Sequence, residues 1–122
     1  MLLRSIIDSN VPDESSVKVQ LLYRDYMELK DIADDNNLTL KKLVNKSIGM
    51  ALEDIEEKGF YSRSRSVRVV TSEMKKCSLK IKNKHYEKLV KICEYHDIRL
   101  KDIVRDIIIY YPFEFFRGGY NN

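Results

Sequence analysis

The sequence has no apolar run approaching the ~20 residues that a membrane-spanning helix needs, so no span is predicted. Residues 1–7 are too short and too weakly cationic for a secretory signal. A cytoplasmic protein is expected. Histidine is nearly missing. His85 and His96 are the only two, and their separation suits neither a zinc pair on one helix turn nor a nucleophile–base pair. No metal site, no cofactor and no enzymatic activity are expected. The two cysteines, Cys77 and Cys93, fall on predicted inward faces and read as small buried hydrophobes rather than a disulfide or a ligand pair. Acidic residues are scarce in one stretch. Between Tyr61 and Lys84 stands a single acid, Glu73, against eight basic residues.

What is present fits one globular domain. The 122 residues are 34% charged and 43% hydrophobic, enough for a real core. The net charge of +3 is unevenly spread: residues 1–60 carry 8 Lys/Arg and 12 Asp/Glu, and residues 61–122 carry 14 and 7. A basic block that leads into an alternating segment points to a phosphate-binding surface.

Two short stretches alternate strictly. In residues 16–21, Val17, Val19 and Leu21 oppose Ser16, Lys18 and Gln20; in residues 76–81, Cys77, Leu79 and Ile81 oppose Lys76, Ser78 and Lys80. Period two is the pattern of a strand with one buried face. So short a strand needs a partner strand and an apolar floor, and the two stretches are expected to pair. Val67-Arg68-Val69-Val70 competes for the role of second strand.

Helical periodicity follows each strand. Tyr26, Leu29, Ile32 and Ala33 mark one face of a helix over residues 23–35, stopped at Asn36-Asn37. Thr39 is a suitable N-cap for a longer helix with the stripe Leu40, Leu43, Val44, Ile48, Ala51, Leu52 and Ile55, closed by Gly59. Adding 60 to each number then returns the pattern without a gap. Tyr26, Leu29, Ile32 and Ala33 become Tyr86, Leu89, Ile92 and Cys93, and Leu40, Val44 and Ile48 become Leu100, Val104 and Ile108. The second long helix carries Ile103, Val104, Ile107, Ile108 and Tyr111 and is expected to stop near Pro112. His85 and His96, near the start and end of the helix before it, are expected to be solvated.

The organisation expected is an N-terminal arm (1–15), a first strand–helix–helix unit (16–59), a basic linker (60–74), a second unit (75–111) and an aromatic tail (112–122). One such unit leaves a bare strand edge and uncovered helix stripes; two copies remove both problems by pairing their strands over four helices.

This unit resembles the ribbon-helix-helix family of DNA-binding proteins (Arc- and MetJ-like). The likeness lies in the alternating strand, the first-helix apolar positions ending in Ala33 or Cys93, and the polar turn before a long second helix. Asn37 and Asp97 stand where the family often has Gly, and Arg99 stands where the first copy has Thr39. Most members are homodimers of one unit. The resemblance therefore implies a mostly α fold with a short β-ribbon, as an intramolecular pseudo-dimer. Tandem single-chain regulators of this kind are known among viruses of archaea. It also implies a transcriptional regulator, such as a repressor, that lays the ribbon in the major groove of double-stranded DNA. Ser16, Lys18, Gln20, Lys76, Ser78 and Lys80 would then contact bases. Thr39, Lys41 and Lys42 in the first copy, Arg99 and Lys101 in the second, and Arg63, Arg65 and Arg68 in the linker would contact phosphates. Self-association of pseudo-dimers is compatible with this reading. The rival reading is an antitoxin-like or adaptor protein that grips a partner protein through the tail, where Phe113, Phe115, Phe116 and Tyr120 either cover the core end or form an exposed patch.

Overall fold

A strand whose alternate side chains are apolar must cover something with one face and pair its edge. Both alternating stretches do so in the computed structural model, which describes residues 14–58 and 74–116. Strand β1 (Glu14–Leu22) pairs antiparallel with strand β2 (Met74–Lys82), in a register from Glu14–Lys82 to Leu22–Met74. At the centre Lys18 faces Ser78, a residue 60 positions on, the same offset as the echo in the sequence. Val17, Val19, Leu21, Cys77, Leu79 and Ile81 are buried beneath. Each strand outruns its six-residue alternation, because the backbone ladder continues wherever a partner backbone lies alongside. Glu14 and Ser15, expected in the arm, thus belong to β1, and Met74, expected at the end of the linker, begins β2. The competing strand at 67–70 lies outside the described residues.

Each strand runs straight into a helix, β1 into α1 (Tyr23–Asp35) and β2 into α3 (Asn83–His96). Leu22 and Lys82 stay extended and supply no side-chain cap, so these helix starts depend on packing rather than on capping. The far ends match as well. Asn37 and Asp97 take left-handed φ values of 58° and 55°. The next amides, of Leu38 and Ile98, donate back to the carbonyls of Ala33 and Cys93 at 2.8 and 3.0 Å. Asn and Asp tolerate this conformation better than other residues with a Cβ, so the turn is made without glycine.

Helix α2 (Leu40–Lys58) starts at Thr39, whose Oγ1 accepts the Lys42 N–H at 3.1 Å. Helix α4 (Leu100–Ile108) starts at Arg99, which is extended and gives no side-chain cap. The result is a mostly helical protein with a two-stranded antiparallel sheet. Its packing crosses between the halves: β1 lies on α4, β2 on α2, and α2 on α4. Leu29, Leu43, Ile48, Ile81, Leu89, Ile103 and Ile108 form the centre of one shared core.

The second copy departs from expectation at its end. Pro112 does not stop a long helix; α4 already ends at Ile108, and Pro112 opens a π-helical segment (Pro112–Phe116). At the first position of a helical segment the missing N–H costs nothing. Pro112 is buried, and Phe113 and Phe116 are half-buried against the core. Two polar contacts, one from the preceding Tyr111 and one at Phe116, tie this stretch to the first half. Tyr111 Oη donates to Asp54 Oδ2 at 2.5 Å, and Asn36 Nδ2 donates to the Phe116 carbonyl at 3.0 Å. Burial, then the Asp54 carboxylate, push the Tyr111 phenol above its usual range, so it stays a neutral donor.

Candidate functional site

The alternation that buries one face of the ribbon exposes the other. Ser16, Lys18, Gln20, Lys76, Ser78 and Lys80 are all exposed and share this outer face. The register sets Ser16 opposite Lys80, Lys18 opposite Ser78 and Gln20 opposite Lys76. Each rung holds one lysine, so no two like charges meet directly, an arrangement that would otherwise cost stability. Among the described residues, none forms an ion pair or hydrogen bond with the side chains of Lys18, Lys76 or Lys80. Their charges remain available to a ligand.

The longer ladder adds one rung beyond the alternation. Lys82 is exposed on the same face, opposite Glu14. Glu14, the acid on this face, forms an ion pair with Lys41. The start of α2 is thereby held beside the β1 entry of the ribbon. Lys41 is half exposed in that pair, and so exposed a contact is worth little and is readily exchanged. Lys42 and Lys101 are exposed. Thr39 is exposed, but its hydroxyl is engaged as the α2 cap. Arg99 is exposed and paired through Nε with Asp102 Oδ2 at 3.1 Å. Arg63, Arg65 and Arg68 lie outside the described residues.

Behind the face, Asn45 fixes the free edge of β2. Its Nδ2 donates to the carbonyls of Lys41 and Lys80 at 2.9 and 3.0 Å, and its Oδ1 accepts the Lys82 N–H at 2.9 Å. The amide thus makes three bonds while buried, which satisfies strand groups that β1 does not reach and ties α2 to the ribbon. The sequence pattern gives no sign of this, because a polar residue flanking a helical stripe resembles a surface position. Nor does it mark Lys75, whose ammonium lies 5.4 Å from the Tyr26 ring centroid; Lys30 lies 5.6 Å from the same ring. Both are within cation–π reach.

Comparison with protein-family models, with curated proteins and with solved structures found no match. Among the described residues, no helix is long and apolar enough to cross a membrane, and no group of three or more His, Cys, Asp or Glu could hold a metal ion. Cys77 and Cys93 are buried free thiols.

The two histidines are not solvated as expected; both are half-buried. His85 lies across from Gly49 of α2, where an added Cβ would meet the imidazole at 3.7 Å. Its Nδ1 is buried without a hydrogen-bond partner. Burial first, then Lys82, Lys84 and Lys88, hold its pKa below the usual histidine range. As pH falls through about 6.5, the unfolded chain takes up a proton that the folded chain resists, so stability declines. Above that pH the contribution is complete. Urea midpoints measured from pH 7.5 to 5 should fall more steeply for the wild type than for His85→Gln. Equal slopes would place the titration elsewhere.

Proposed function

We propose that this chain binds double-stranded DNA as a single-chain ribbon-helix-helix pseudo-dimer, with the outer face of the ribbon in the major groove. The supporting observation is the register. It gathers Ser16, Lys18, Gln20, Lys76, Ser78 and Lys80 on one exposed face while the alternate residues enter the core. A B-DNA major groove ~12 Å wide admits a two-stranded ribbon. The face is chemically suited to base edges: Gln20 can pair with adenine, the lysines with guanine O6 and N7, and the serines with either. Lys82 adds charge to the same face, and Lys41, Lys42 and Lys101 at the starts of α2 and α4 would hold phosphates without reading sequence.

The two triplets differ, so the ribbon suits an asymmetric site better than a palindrome. Regulation of transcription follows if the site overlaps a promoter. The adaptor reading is weaker, because Pro112 is buried and Phe113 and Phe116 pack on the core; of the tail aromatics Phe115 stays exposed, and Tyr120 lies outside the described residues. The experiment is selection from a random duplex pool, followed by titration of the selected duplex at increasing salt. Binding should weaken steeply between about 50 and 200 mM salt, since neutralised phosphates release counterions. No enrichment over the starting pool, or affinity indifferent to salt, would exclude this function.

A further inference from the structure

Helices α1 and α3 occupy matching places after the two strands, yet their outward stripes carry opposite charge. On α1 the stripe at i, i+4, i+7 and i+11 reads Arg24, Glu28, Asp31 and Asp35; on α3 it reads Lys84, Lys88, Lys91 and Tyr95. Residues at this spacing share one helix face. Arg24, Asp31, Asp35 and all four α3 residues are exposed, and Tyr95 is 83% exposed, the most of any large apolar or aromatic side chain described. A tyrosine so far out of the core contributes little to the fold.

The spacing four–three–four reads the same in both directions, so the stripes can meet antiparallel rung by rung. That alignment sets Arg24 against Tyr95, Glu28 against Lys91, Asp31 against Lys88 and Asp35 against Lys84. Two rungs join exposed opposite charges, Asp31 with Lys88 and Asp35 with Lys84; the Glu28–Lys91 rung also joins opposite signs, with Glu28 half-buried and already engaged in its own chain, and the fourth lays a guanidinium on an exposed ring. The parallel alignment instead opposes Arg24 to Lys84. An antiparallel pairing of α1 with another α1 opposes Glu28 to Asp31, and one of α3 with another α3 opposes Lys88 to Lys91. Only the mixed antiparallel pairing is favourable throughout. We propose that the outward face of α1 in one copy of the chain docks antiparallel on the outward face of α3 in a second copy.

Each copy carries both faces, so the contact is heterologous and adds copies in sequence. Lys88 sits 3.6 Å from Glu56 of its own chain, with both side chains largely exposed, and would exchange that weak pair for Asp31. The contact is a single helix pair with a polar surface, which makes it transient and salt-sensitive. The inference does not depend on DNA binding and is tested without DNA.

The test is sedimentation of the full chain at low salt over a range of concentrations, repeated at about 0.5 M salt, where exposed charges are screened. The average mass should rise with concentration at low salt and return to that of a monomer at high salt. Asp31→Lys and Lys88→Glu should each remain monomeric at low salt with unchanged circular dichroism. An equimolar mixture of the two variants should associate again, and so should the double variant, because each replaced charge then meets its opposite in a neighbour. A wild type that stays monomeric at low salt overturns the proposal. So does association that survives either single substitution, or single variants that fail to recover on mixing.

Discussion

Val19→Asp should abolish cooperative folding. Val19 is 3% exposed and sits beneath the ribbon opposite Cys77. The substitution removes about 2 kcal/mol of apolar burial and leaves an unpaired carboxylate in the core, with a penalty of several kcal/mol more. A domain of this size has only about 5–15 kcal/mol of total stability. Because β1 packs on α4 and α2 packs on both β2 and α4, neither half retains a complete core once the ribbon lifts. Both halves should therefore lose structure together. Lys18→Asp, one residue away on the exposed face opposite Ser78, is the control and should change stability by no more than about 0.5 kcal/mol. Urea titrations followed by circular dichroism decide it. A Val19→Asp transition close to that of the wild type would mean that the inner face of the ribbon has been wrongly identified.

The second large effect concerns binding. Replacing Lys18, Lys76 and Lys80 together by Ala should eliminate recognition of a selected duplex while leaving the urea midpoint nearly unchanged, since all three side chains are exposed and unpaired among the described residues. Single changes separate two roles. Gln20→Ala or Lys80→Ala should cost about 1–3 kcal/mol on the selected duplex and little on a scrambled one, as expected for a lost base contact. Lys41→Ala or Lys101→Ala should weaken both duplexes about equally, as a phosphate contact does. Competition titrations with matched and scrambled duplexes measure the difference. Strand variants that lose equally on both duplexes would reassign the ribbon from reading bases to holding phosphates.

Periodicity alone makes the elements legible. The alternation of Val17, Val19 and Leu21 with Ser16, Lys18 and Gln20 marks both strand faces, and each inward residue is buried. The stripe through Leu43, Val44, Ile48, Ala51 and Leu52 places α2 from its Thr39 cap to Lys58. These signals are local: side-chain direction repeats every two residues in a strand and every 3.6 in a helix, and burial of the apolar side follows. The echo at 60 residues also shows that the two strand faces match, so each can serve as the other's partner.

Register, cross-packing and the chain end belong to the tertiary structure. No local pattern says that Lys18 meets Ser78 or that the ladder reaches Glu14 and Lys82, because backbone pairing extends past the apolar alternation that reveals it. Asn45 has the pattern of a surface amide, yet β2 brings the Lys80 carbonyl and the Lys82 amide to it. His85 has the pattern of a solvated residue, yet its ring packs beside Gly49 of α2. Pro112 has the pattern of a stop, yet it opens a segment flanked by the Tyr111–Asp54 bond and held at Phe116 by Asn36 from the other half of the chain. In each case the deciding partner lies far away in sequence, at a distance no helical or strand period encodes. Periodicity tells which apolar residues of the strands and helices face inward; folding alone sets which distant groups those faces and ends meet.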